Sequence, residues 1–117
     1  MSLVTSVLGY ALDSLGQAEQ VTAGNVANDQ TPGYTAGTYD FESALQSAMA
    51  SGGTETITPA TGLSTAPAGT DGNNVNLSQE MTNMSEEEVQ TQEVSDALST
   101  QFQIFSDAMA ASGGGTL

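Results

Sequence analysis

Every charged side chain in this sequence is negative. Fourteen Asp and Glu residues stand against no Lys, Arg or His, a formal net charge of -14. No side-chain ion pair can form within the chain, and self-repulsion opposes compaction. The apolar side of the balance is thin too. Leu, Ile, Val and Phe supply 21 of 117 residues and Trp none, below the roughly one fifth under which highly charged chains tend toward disorder. Burial on that scale hardly offsets conformational entropy. The expectation is a subunit partly or mostly unfolded alone, which gains its core from neighbours.

The same charge balance narrows the partners. Phosphate binding releases counterions through cationic side chains, and none is present, so nucleic acid is excluded as a direct partner. Anionic membranes are disfavoured for the same reason. Basic or neutral protein surfaces remain. With no Cys there is no disulfide, thiolate nucleophile or thiolate metal site. Residues 1–10 lack a positive n-region and do not read as a cleaved secretory signal. No stretch approaches the roughly 18 consecutive apolar residues of a membrane helix.

Residues 3–27 read as a helix, within an N-terminal helical segment of residues 1–28. Steps of four and three link Val4, Leu8, Leu12, Leu15, Ala18, Thr22 and Val26 in a coiled-coil-like seam. Gly9, Gly16 and Gly24 fall near one face, open to close approach by another backbone, and each costs the helix about 1 kcal/mol relative to Ala. Residues 29–51 read as a turn and a short helix. Pro32-Gly33 suits the centre of a type II turn. Asp40 is an N-cap for a helix with Phe41, Ala44, Leu45, Ala48 and Met49 on one face, and Gly52-Gly53 ends it.

Residues 52–75, rich in Gly, Thr, Ala, Ser, Pro and Asn, read as a flexible linker. Asn76 then caps a long helix, with Gln79 as its capping-box-like partner. That helix fills residues 76–112, and a Gly-rich tail covers 113–117. Its seam runs through Leu77, Met81 and Met84, then Glu88, Thr91 and Ser95, then Leu98, Phe102, Phe105 and Met109. Both ends are apolar and the middle is polar.

One run carries more than turn chemistry. Asn25-Val26-Ala27-Asn28-Asp29-Gln30-Thr31-Pro32-Gly33-Tyr34 resembles the N-terminal signature of flagellar rod, hook and axial proteins, in which Asn-x-Ala-Asn-x-x-Thr-Pro-Gly-Tyr follows the first helix. The continuation Asp40-Phe41-Glu42-Ser43-Ala44-Leu45 and the run Asp71-Gly72-Asn73-Asn74-Val75-Asn76-Leu77 resemble the basal-body rod proteins of that family, proximal ones above all. The resemblance spans both terminal helices and the turn. The chain departs from the family in lacking basic residues, with Thr35 and Gln101 at places where they are usual.

Other candidate chemistry is weak. Glu86-Glu87-Glu88, or Asp13 with Glu19, could supply catalytic or metal-binding carboxylates only by converging on a pocket, whereas successive helical residues diverge. They read as solvated helix faces. Asp71-Gly72-Asn73-Asn74 fails the EF-hand pattern and reads as a turn. A Ser or Thr nucleophile has no His or Lys as base. Tyr34 and Phe41 read as packing residues, and Met81, Met84 and Met109 as seam fillers. No catalytic, cofactor or metal site is expected.

The expected fold is all-α: an elongated, antiparallel, coiled-coil-like pair of terminal helices with a turn, a short helix and a loop between them. The resemblance implies a structural rod subunit, not an enzyme. It implies uncleaved export by the flagellar type III apparatus to the periplasmic rod. The implied partners are copies of itself, other rod proteins, and the membrane-ring and rod-adaptor proteins. The assembly surface would be Leu8, Leu12, Leu15, Phe41, Leu45, Leu77, Met81, Met84, Leu98, Phe102, Phe105 and Met109. Rival readings are an acidic adaptor that folds on a basic protein, another axial protein of the family, and a carboxylate-dependent hydrolase.

Overall fold

The structure, a computed structural model, describes residues 3–52 and 61–112. Its elements run α1 (Leu3–Ala27), β1 (Gly37–Tyr39), α2 (Phe41–Ala50), β2 (Thr61–Leu63) and α3 (Leu77–Ala111). The two terminal helices lie antiparallel, and the molecule extends over 69 × 25 × 15 Å. Its radius of gyration, 18.7 Å, exceeds the roughly 13 Å of a compact chain this long. The all-α pair expected from sequence is thus present, with one small addition. β1 and β2 form a two-stranded antiparallel ribbon, Gly37 opposite Leu63 and Tyr39 opposite Thr61.

The helix boundaries follow local chemistry. Asp40 caps α2, its Oδ1 accepting from the Ser43 amide at 3.0 Å and its Oδ2 from the Ser43 hydroxyl at 2.9 Å. These bonds hold the Asp40 carboxyl below its ordinary value. Gly52, at φ +70°, supplies the left-handed residue after α2. Asn76 caps α3 by accepting from the Gln79 amide at 3.1 Å. The reciprocal half of a capping box is missing, because the Gln79 side chain donates forward to Asn83 Oδ1 at 2.9 Å.

The core is built mainly from small residues. Tyr10, Ala11, Leu15, Ala18, Ala36, Ala44 and Ala48 are its buried apolar members, and among the described residues Leu15 is the one large aliphatic side chain fully buried. α1 supports α3 along one side and α2 and β1 along others. The expected seam of α1 is therefore only partly the observed one. Leu15, Ala18 and Thr22 are buried, but so are Ala11, Ser14 and Asn25, while Val4 is exposed and Leu8, Leu12 and Val26 are half-buried. Small side chains let the helices approach; the larger Leu and Val residues flank that contact.

The seam of α3 is likewise only partly the expected one. Glu80, Asn83, Glu87, Thr91, Val94, Ser95, Ala97, Leu98 and Gln101 are its least exposed residues, so Thr91, Ser95 and Leu98 hold, whereas Leu77, Met81, Met84 and Glu88 are exposed. Thr91 donates to Glu19 Oε1 at 2.8 Å and Thr22 donates to Glu87 Oε2 at 2.9 Å. Cross-helix hydrogen bonds thus replace apolar knobs in the middle of the pair. The three α1 glycines admit no close backbone: a Cβ on Gly9 or Gly16 would meet nothing within 4 Å, and one on Gly24 only the Tyr34 hydroxyl.

Candidate functional site

The run Asn25–Tyr34 builds one half of a polar junction. Asn25 is only 1% exposed. Its Nδ2 donates to the Gly37 carbonyl at 2.9 Å and its Oδ1 accepts from the Gly37 amide at 2.8 Å. That pair clamps β1 to the end of α1 in the manner of a strand neighbour. Asn28 Nδ2 donates to the Gly24 carbonyl at 2.8 Å, satisfying a carbonyl at the helix end, and its Oδ1 accepts from the Thr31 hydroxyl at 3.1 Å. The Tyr34 amide closes onto the Thr31 carbonyl at 3.2 Å across Pro32-Gly33, with Gly33 at φ +75°, as the type II turn requires. Ala27, between the two Asn residues, is exposed.

The other half comes from residues 71–74, and here the expected linker is corrected. Residues 61–75 are anchored, not free; residues 53–60 lie outside the described part. Asn73, 8% exposed, donates from Nδ2 to both the Asn28 and Thr31 carbonyls at 2.8 Å. The Gly33 amide donates to the Asp71 carbonyl at 2.9 Å, and the Asn74 amide to the Tyr34 carbonyl at 3.2 Å. Asn74 Oδ1 accepts from the Ala36 amide at 2.6 Å, while its Nδ2 reaches the Ser64 and Ala66 carbonyls at 3.3 and 3.1 Å. Gly72 sits at φ +81°, where an added Cβ would lie 3.3 Å from Gly33 Cα. Two turns, each glycine-dependent, are pressed face to face. The runs Asn25–Tyr34 and Asp71–Asn74 meet in this lock.

Beside the lock lies a cleft of about 650 Å³ between the second half of α1, the β1–α2 junction and the start of α3. Leu15, Val21 and Phe41 give it apolar walls, and Glu80 and Glu87 face it from α3. The expected solvated face at Glu86–Glu88 is correct for Glu86 and Glu88 only. Glu87 is half-buried against α1. Burial raises its carboxyl above the ordinary value; the Thr22 hydroxyl opposes this, and Glu19, Glu80 and Glu86 add to it. Among the described residues no group of three His, Cys, Asp or Glu could hold a metal ion.

The remaining expected assembly residues divide by position. Leu15 is buried inside the chain, and Phe41, Leu45, Leu8, Leu12 and Leu98 are half-buried. Leu77, Met81, Met84, Phe102, Phe105 and Met109 are exposed. Leu3, Val4 and Ile104 are exposed at the same end of the pair as Phe102, Phe105 and Met109, which makes that end an open apolar surface. No helix among the described residues is long and apolar enough to cross a membrane. Compared with known proteins, the chain matches no family model and no curated protein.

Sequence reasoning did not find Asn73, Asn74, Glu80 or Glu87 as site residues. For the asparagines, the Asp-Gly-Asn-Asn composition signals a turn but not what the turn rests on. For the glutamates the signal was weak: Glu80 and Glu87 stand seven apart, on one helix face.

Proposed function

We propose that this chain is a structural subunit of the bacterial flagellar basal-body rod, most similar in kind to the proximal rod protein, and that it self-assembles through its terminal helices as part of the drive shaft. The observation that carries the reading is the lock. The residues that resemble the rod signature, Asn25, Asn28, Thr31, Gly33 and Tyr34, are spent on joining the end of α1 to β1 and to the turn that leads into α3. The other end of the pair is left apolar and uncovered. A subunit completed by its neighbours needs that division, because head-to-tail contacts propagate a tube only if each copy leaves a surface open.

On this reading the chain is exported uncleaved by the flagellar type III apparatus to the periplasmic rod. It contacts further copies, other rod proteins, and the ring and adaptor proteins of the basal body, without inserting in the membrane. The test replaces Phe102 and Phe105 together by Ala. Each Phe buried by a neighbour is worth about 3–5 kcal/mol, so the double variant is exported but not incorporated, and motility is lost. Motile cells carrying the double variant would refute the assembly surface. Failure of export would assign these residues to secretion instead.

A further inference from the structure

The cleft beside the lock holds three buried polar atoms without a hydrogen-bond partner: Glu80 Oε2, Glu87 Oε1 and the Tyr39 hydroxyl. Glu80 is 7% exposed, and all three residues line the cleft. Burying a carboxylate oxygen without a donor is costly, and proteins ordinarily resolve it by pairing with a cation. This chain cannot do so, since it has no Lys, Arg or His. No side chain of a second copy can do so either, for the same reason. A cationic side chain must come from a different molecule.

The shape of the cleft narrows that molecule. Among the described residues no group of three His, Cys, Asp or Glu could hold a metal ion, so a cationic side chain is the fitting complement. The opposite wall is apolar, through Leu15, Val21 and Phe41. A long aliphatic stem with several donors at its tip fits both surfaces. An arginine side chain has that form: an apolar stem and a planar head of five N–H donors pointing in different directions.

We infer that this cleft is the docking site for an arginine side chain of a protein other than a copy of this chain. The stem lies on Val21 and Phe41, and the guanidinium donates to Glu80 Oε2 and Glu87 Oε1, with the Tyr39 hydroxyl at its margin. This inference does not rest on the rod reading, since Phe102 and Phe105 do not line the cleft. Loss of cleft binding and loss of self-assembly are therefore separable.

The test titrates the full chain with N-acetyl-arginine amide at constant ionic strength, and with N-acetyl-citrulline amide as the neutral isostere. Amide and side-chain carboxyl NMR shifts, together with helical circular dichroism, report binding. Expected is a saturable response to the arginine probe at Tyr39, Glu80 and Glu87, or a saturable gain of helix if the unliganded chain is unfolded, with no such response to citrulline. Glu80→Gln weakens that binding about tenfold or more, as loss of a charge-assisted hydrogen bond implies. Glu93→Gln, on an exposed stretch of α3 outside the cleft, removes the same charge and leaves the affinity unchanged. Equal weakening by both variants would mean net charge alone attracts the probe, and would overturn the inference. So would an equal response to citrulline, a response to calcium but not to arginine at these residues, or no saturable response.

Discussion

The two ends of the helical pair are built on opposite principles. At the lock, Asn25, Asn73 and Asn74 give and receive hydrogen bonds through side chains that reach other elements, and Asn28 closes the end of α1. At the far end, Leu3, Val4, Phe102, Ile104, Phe105 and Met109 offer exposed apolar surface among the described residues, with Phe105 66% exposed. Hydrogen bonds demand defined partners at defined angles, so the polar end specifies one internal geometry. Apolar surface is non-directional, so the other end can be completed by any surface of matching shape. The chain thus fixes its own conformation with amides and leaves association to hydrocarbon.

The contrast breaks most readily at Leu15, which lies between the two ends and is, among the described residues, the one large aliphatic side chain fully buried. Leu15→Ala is expected to cost about 2–5 kcal/mol, enough to unfold a small domain whose core is otherwise mostly alanine. Thermal unfolding followed by circular dichroism measures it. A loss well under 1 kcal/mol would mean that the lock alone holds the helices together.

A sharper comparison sets Asn73→Ala against the paired Phe102→Ala and Phe105→Ala changes in the isolated chain. Asn73→Ala abandons the Asn28 and Thr31 carbonyls and is expected to destabilise by about 1–3 kcal/mol. The two Phe changes alter exposed positions and should shift single-chain stability by only about 0.5 kcal/mol each. If denaturant midpoints rank these variants the other way, the assignment of the two ends is reversed.

The smallest expected effect comes from Glu87, on the cleft side of the lock. Burial raises its folded carboxyl above the ordinary 4.5, so between those two values the folded chain binds more protons than the unfolded one. Stability from this group therefore rises as pH falls through the raised value toward 4.5, and levels off below it. Asp40 acts in the opposite sense. Its folded carboxyl is lowered from 3.8, so the stability it contributes is present above 3.8 and lost on further acidification. Glu87→Gln should stabilise the chain slightly at neutral pH and flatten the upper slope while leaving the lower one. Melting midpoints across a pH series check this, and parallel curves for parent and variant would exclude Glu87 as the source.

Helix positions were legible in the sequence because their signals are local. Asp40, Asn76, Gly52 and the Pro32-Gly33 turn act within four residues of themselves. The helix faces were less legible. Following the large apolar residues selects Met81, Met84 and Val4, but the buried α1 positions include Ala11, Ser14, Ala18 and Thr22, the least exposed α3 positions include Glu80, Glu87 and Thr91, and Thr22 and Glu19 bond across to Glu87 and Thr91. The shift reflects what a chain poor in Leu and Val does at a close contact: it uses small side chains and hydroxyl–carboxylate bonds. β2 was invisible because three residues, Thr61-Gly62-Leu63, carry too little alternation to stand out from a Gly- and Thr-rich stretch. Of the candidate site, the Asn25–Tyr34 half was readable as a word, and its counterpart was not. An asparagine that serves its own turn and one that reaches across 45 residues look alike in sequence.

The lock also sets an order of events. Bringing Glu19 to Thr91 from an open chain closes a separation of 72 residues, and the entropic cost of such a closure grows with the length enclosed. Once Asn73 has seated on Asn28 and Thr31, the same pairing spans only the short helical arms on either side. The helices then zip outward from the lock, one turn at a time, and fray in the reverse sequence. Leu3 through Leu8 and Phe102 through Met109 close last and open first. The stretch that is slowest to commit to its own partner is the one through which a newcomer can be admitted.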